Sequence, residues 1–229
     1  MRKAMFILLP LLMAACASPT QGIMEKNLPG ASPNRFTYCT GYGCTIPWTV
    51  QLAADEWSEI TVPLKTSASS AEAERRLIAQ TVALFEQTVG PKTKTTEDEA
   101  GATVFSFSSK RGQLDCIDES HNTATLLHFL EADGLLHWHR VGPVAHRGMI
   151  LDRWFHNTAV VIENASGDAY VIDSWFGLNG ELADVQPLSV WKEGWHPEGF
   201  FNGVTKEERT AGRKAAQQNQ QPTTAAGSE

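Results

Sequence analysis

The chain lacks a basic cluster. Its nineteen Lys and Arg are scattered among twenty-six Asp and Glu, for a net charge of −7 over 229 residues. Phosphate affinity comes from clustered Lys and Arg, so nucleic acid is an unsuited partner. It also lacks any apolar run long enough to cross a bilayer. The one sustained run, at the N-terminus, falls short of the roughly 20 residues a spanning helix needs, which excludes a polytopic membrane protein. No segment repeats. Cysteine is scarce, at four residues, and no second Cys or His pair at metal-ligand spacing accompanies the closest two. Hydrophobic residues, at 42 %, are plentiful enough to bury a core, and charged residues stop at 20 %; the length suits one sizeable domain plus tails.

Residues 1–16 read MRKAMFILLPLLMAAC. Arg2 and Lys3 make a basic start, Phe6 to Met13 an apolar stretch of signal-peptide length, and Met13-Ala14-Ala15-Cys16 a lipobox-like ending. Cleavage before Cys16 with lipidation of its thiol is expected; simple secretion is the alternative. Removing residues 1–15 leaves seventeen basic against twenty-six acidic side chains, a net −9. Acyl chains, and not electrostatics, would then hold the body at a membrane. Ala17 after the lipidated cysteine points, by analogy with lipoproteins of two-membrane bacteria, to the outer membrane facing the periplasm. In that oxidising compartment Cys39 and Cys44, in Tyr38-Cys-Thr-Gly-Tyr-Gly-Cys-Thr45, are expected to form a disulfide, with a metal pair as the alternative. Cys116 is left over, as an inert buried thiol or a nucleophile.

Composition divides the chain into a Pro/Ser/Asn/Gly-rich tether over 16–36, a body over 37–204 and a Gln/Ala/Thr-rich tail over 205–229 expected to be disordered. Ser69-Ser70-Ala71-Glu72 opens a helix as a capping box, and Gly90-Pro91 is expected to stop it. A polar loop follows over 91–102, then a strand over 103–107. A second helix spans Asp115 to Gly134, and strands are expected over 135–144, 158–163 and 169–175. Helices first and strands later suggest an α+β domain.

Cys116 falls at the start of the second helix, with Asp115 as N-cap and Asp118 three residues on. Free N–H groups and the positive helix end favour a thiolate there, while Asp115, Asp118 and Glu119 oppose one. Positions 116, 120, 123, 127 and 130 share a face, which aims Cys116 at the sheet. The candidate base is His156, opening His-Asn-Thr-Ala-Val-Val-Ile-Glu163, and the candidate third member is Asp173. If Glu163 pairs with Asp168 around a four-residue turn, Asp173 faces Thr158 and lies diagonal to His156 on one sheet face. A slip of one residue would separate them.

A cysteine at a helix start, a histidine on a strand and an aspartate on the next strand resemble the transglutaminase-like branch of the papain-like superfamily. The Asp115-Cys116-Ile117-Asp118 setting is similar to that of the bacterial transglutaminase-like cysteine proteinases. The likeness covers residues 110–176 and implies a nucleophile-bearing helix packed on an antiparallel sheet. It also implies Cys116 as nucleophile, His156 as base and acid, Asp173 as orienting group, and Gln113 with the Cys116 N–H as oxyanion donors. Calcium held by Asp115 and Asp118 would be a further family trait; helix capping explains those residues as well. The expected function is thus lipid-anchored hydrolysis of peptide amides, in a protein or a cell-wall peptide, without an organic cofactor. The rivals are a non-catalytic envelope lipoprotein that binds through the same fold and a calcium- or zinc-dependent variant.

Trp175, Trp191 and Trp195 are expected to line a substrate cleft, or in part to fill the core. His137 and His139 would share a strand face, but no carboxylate or Cys nearby in sequence completes a zinc set. His121 and His128 are expected at the surface or rim, residues 143–155 as a covering segment with Arg147 and Arg153 toward acidic groups, and Asn164 in a turn.

Overall fold

A computed structural model describes residues 19–103, 111–148 and 155–200. In chain order the elements are α1 (Pro19–Asn27), β1 (Phe36–Tyr38), β2 (Trp48–Val50), α2 (Ala54–Ile60), a 3-10 turn (Val62–Leu64), α3 (Ala71–Thr93) and α4 (Cys116–Ala132). Then come β3 (His139–Val141), β4 (Ala145–Arg147), β5 (His156–Glu163), β6 (Ala169–Asp173), β7 (Asp184–Pro187) and α5 (Leu188–Lys192). The main sheet runs β3-β5-β6-β7, with β4 also on β5, and every pairing is antiparallel. The domain is α+β.

Local chemistry accounts for the helix ends. Ser70 caps α3 by accepting from the Ala73 N–H at 3.1 Å. Glu72 does not complete a box; it pairs with Arg76 along the helix. The expected stop at Gly90-Pro91 is overrun, and α3 continues to Thr93. A proline in the last turn forfeits one helical bond where carbonyls are running out of donors anyway. Lys94 then ends the helix in a left-handed conformation, its N–H returning to the Gly90 carbonyl.

Both sheet faces are covered. Ala159, Val161 and Ile172 turn toward α3 and α4 and join Ile78, Val82, Phe85, Leu126, Leu127 and Leu130 in the main core. Val160 and Val171 turn the other way, under the fully buried Trp191 of α5. Phe36 lies 5.8 Å from Phe85 and 5.5 Å from Phe129, tying the small β1–β2 ribbon to both long helices. Glu74, buried on α3, accepts from the His137 and Trp138 N–H groups and from His139 Nδ1 at 2.9 Å. Arg75 bridges His139 Nε2 to Glu163. His139 is therefore a structural tie, completed by a carboxylate sixty-five residues away in sequence.

Several expectations need correction. The tether does not hold from Pro19 onward: α1 lies against α4, with Met24 buried and Thr20 Oγ1 3.0 Å from Ser120 Oγ. His121 is buried, not at the surface, between Asn27 and Asn122; His128 is half-buried beside Glu131. The single strand foreseen over 135–144 is two short ones, β3 and β4. Of the covering segment, 145–147 are the strand β4, and residues 149–154, with Arg153, lie outside the described residues. Arg147 is buried against Trp191, its guanidinium 4.3 Å from the ring centroid. Most of the 103–107 strand, Cys16 and the 205–229 tail also lie outside. Asn164 does fall in a turn. Among the described residues, no helix is long and apolar enough to cross a membrane.

Candidate functional site

The site begins with the first turn of α4. Asp115 Oδ1 accepts from the Ile117 and Asp118 N–H groups at 3.1 and 3.0 Å, and Asp118 reaches back to the Asp115 N–H at 3.3 Å. This reciprocal cap sets Cys116 as the first helical residue. The same carboxylates anchor a second element. Cys39 and Cys44 form a disulfide, and the loop they close donates to Asp118 from Tyr42 at 2.8 Å and Cys44 at 2.6 Å, and to Asp115 from Gly43 at 3.1 Å. Asn122 seals the junction by bonding both the N–H and the carbonyl of Cys39.

These bonds decide whether Asp115 and Asp118 fit calcium. N–H dipoles converge on both carboxylates, and a cation there would have to displace them, so the pair does not fit the ion. Cys39, Cys44 and Asp118 have ligand atoms within 4.8 Å of one another, but two of the three are spent in the disulfide.

β5 and β6 pair in the register foreseen from the turn: the Glu163 N–H donates to the Asp168 carbonyl at 2.8 Å, and Ala159 faces Ile172. His156 and Asp173 consequently share a face and meet, Nε2 to Oδ2 at 2.7 Å, with side chains almost wholly buried. Trp191 Nε1 donates to the same Oδ2 at 2.8 Å. A hydrogen bond to a carboxylate fixes the imidazole proton on Nε2, which leaves a lone pair on Nδ1. That nitrogen is buried and has no hydrogen-bond partner among the described residues. The ring is packed by Trp175 at 4.6 Å, Phe176 at 5.1 Å and Trp191 at 5.5 Å between centroids.

The cysteine meets a different residue. Successive strand side chains alternate, so His156, Thr158 and Val160 look toward α5, while Asn157, Ala159 and Val161 look toward α4. Asn157 Nδ2 approaches Cys116 Sγ at 3.7 Å. Cys116 and His156 are linked through shared neighbours, since the thiol packs with Trp175 and Phe176. Burial pushes the Cys116 thiol up to about 12, with the charge of Asp115 adding to it and contacts from Asn157 opposing it. In this arrangement the sulfur is a neutral thiol.

Gln113 is not an available oxyanion donor. Its Nε2 donates to the Glu97 carbonyl at 2.9 Å, and its Oε1 accepts from the Glu99 N–H, bracing the loop before α4. Asn157 is the side-chain amide in contact with the sulfur among the described residues, and sequence reasoning missed it. Nor do the tryptophans form an open cleft: Trp175 and Trp191 are buried, and Trp195 is half-buried against Phe176.

A second buried group lies in the same helical turn, named from the sequence only as a charge opposing the thiolate. Glu119 accepts from Ser174 Oγ at 2.6 Å, and burial pushes its carboxyl up to about 7. Burial likewise raises Glu86 and Asp98, each further raised by the charge of Glu119. Asp118 is pushed up to about 8 by burial and by Asp115, against its backbone donors. These carboxyls come from α3, the 94–102 loop and α4, so only the fold brings them together.

No protein-family model, no curated protein and no solved structure matches the chain, so the reading of this site rests on its own geometry.

Proposed function

We propose that the chain is an exported, lipid-anchored cysteine hydrolase with a papain- or transglutaminase-like core, which cuts peptide amide bonds in a protein or a cell-wall peptide. The observation that carries this reading is the buried His156–Asp173 pair, 2.7 Å apart, with a bare Nδ1 beside the aromatic cluster that also holds Cys116. A structural histidine would be expected to use both nitrogens once buried. An oriented imidazole with one unspent lone pair is what a general base requires.

The reaction balances without a cofactor. Cys116 Sγ passes its proton to His156 Nδ1, and the thiolate adds to the amide carbonyl. The imidazolium returns the proton to the leaving nitrogen, giving a free amine and a thioester. Water, deprotonated by the same Nδ1, hydrolyses the thioester to an acid and restores the thiol. Asp173 holds the ring and stabilises its charge, and Asn157 Nδ2 with the Cys116 N–H are the donors nearest a developing oxyanion. On this reading Sγ and Nδ1 come within hydrogen-bond reach for the first step.

One observation favours a second reading, a binding lipoprotein without catalysis: the sulfur touches Asn157 and is held neutral by burial. The pH dependence of Cys116 alkylation by iodoacetamide, read by peptide mass spectrometry in wild type and His156→Ala, separates the two. A near-neutral inflection that disappears in His156→Ala supports the hydrolase. Identical profiles rising only above pH 9 overturn it and leave the binding protein.

A further inference from the structure

The chain's own last described segment packs on the aromatic cluster that holds Cys116. Residues 194–200 leave α5 through Gly194 (φ +101°), and Gly199 (φ +78°) turns Phe200 back toward the body. The Phe200 ring meets Phe176 edge-on at 4.8 Å and Trp175 at 5.6 Å between centroids. Those two residues form one cluster with Cys116. The floor of the seat is Gly101, where an added Cβ would lie 2.4 Å from Phe200 Cζ. Any side chain at 101 would evict the ring. Two bonds keep the seat in shape: the Gly101 N–H donates to the Trp175 carbonyl, and Trp175 Nε1 donates to the Ala102 carbonyl, both at 2.8 Å.

The seat is therefore an aromatic-walled, glycine-floored pocket contiguous with the thiol. Phe200 itself is only half-buried, unlike Trp175 and Phe176, and reaches the seat through a turn between two glycines, where backbone rearrangement costs least. We propose that this pocket is the subsite for a large apolar, preferably aromatic, side chain of the peptide substrate, and that Phe200 plugs it until a substrate displaces it. The proposal rests on the hydrolase reading and adds to it a side-chain preference and a built-in block. Binding of the peptide side chain and exposure of Cys116 become one event.

The test is the rate of Cys116 alkylation by iodoacetamide in the full chain, read at the peptide level so that other thiols do not contribute. Phe200→Ala is expected to react about tenfold faster than wild type at unchanged melting temperature, because local opening governs access to a buried group. N-acetyl-phenylalanine amide, entering the vacated seat, should slow Phe200→Ala again, whereas N-acetyl-alanine amide should not. Equal rates in wild type and variant, or equal effects of the two amides, overturn the proposal. If Phe200→Ala melts below the assay temperature, Phe200→Leu replaces it with an expected acceleration of about two- to fivefold, and no acceleration is again fatal. Access does not require His156. A Phe200→Ala protein that reacts fast but shows no near-neutral inflection keeps the plug and overturns the hydrolase. A protein with the inflection and no acceleration does the reverse.

Discussion

Glu119 offers a test of the buried electrostatics that needs no substrate. Its carboxyl lies in the first turn of α4, 6 % exposed, accepting from Ser174 and facing the charges of Asp173 and Asp115. Burial raises it from 4.5 to about 7. The folded protein thus holds this proton more tightly than the unfolded chain does. The resulting stability is present in full below about pH 4.5 and lost as pH rises through about 7. At about 1.4 kcal/mol per tenfold in proton affinity, the loss comes to about 3 kcal/mol.

Glu119→Gln keeps an acceptor for Ser174 and can never ionise. It should be about 3 kcal/mol more stable than wild type at pH 8, and the gap should close by pH 4.5. The difference between the proteins is the quantity to follow, because other groups move both curves. Asp118, raised to about 8, also favours the fold at lower pH. His121, lowered to about 4 by burial, withdraws stability as pH falls below its ordinary 6.5. His121 cancels in the comparison, whereas Glu86 and Asp98, which the Glu119 charge raises, are relieved in the variant and widen the gap in the same direction. Urea unfolding followed by tryptophan fluorescence at four pH values between 4.5 and 8 measures the gap. A variant less stable than wild type at pH 8, or a gap independent of pH, refutes the reasoning.

Two further perturbations follow from the site. Asn157→Ala should change stability by less than about 1 kcal/mol, since its Sγ contact is long, yet lower amide hydrolysis about 10²- to 10³-fold with KM little moved if Nδ2 serves the oxyanion; unchanged turnover of a peptide amide would remove that role. Reducing Cys39–Cys44 should lower unfolding free energy by about 2 kcal/mol through loop entropy alone. It should also loosen the three N–H donors on Asp115 and Asp118, visible as faster amide exchange at Tyr42, Gly43 and Cys44; an unmoved denaturation midpoint would show that the hydrogen bonds suffice without the bond between sulfurs.

Much of the candidate site was legible because local chemistry encodes it. The Asp115/Asp118 cap placed Cys116, and the Asn164-Ala-Ser-Gly turn set the register that joins His156 to Asp173. What stayed hidden was which face of β5 meets α4. Residues 156–161 are all buried, so no alternation of polar and apolar residues marks the inner face, and His156 and Asn157 could not be told apart. α1 was hidden for a different reason. Its nine residues, with Pro19 and Gly22, have little helical preference, and its fixed position comes from Met24 and Thr20 lying on α4. Gln113 was misassigned because the loop it braces at 97–99 is distant in sequence. Trp191 was taken for a cleft wall in part, whereas its indole serves Asp173 from behind.

The packing of α1 against α4 has a mechanical meaning. Only Ala17 and Ser18 separate Cys16 from Pro19, a span of at most about 11 Å. On the proposed lipidation, the acyl chains would be fastened almost directly to the helix pair that carries Cys116. An anchor without slack works like a bracket. On that proposal the protein could neither swing far outward nor roam over a distant mesh, and its reach would end about one protein diameter from the lipid surface. Its substrates would have to come to that surface: lipoprotein tails, the membrane-proximal loops of neighbours, or wall peptides drawn close to the bilayer.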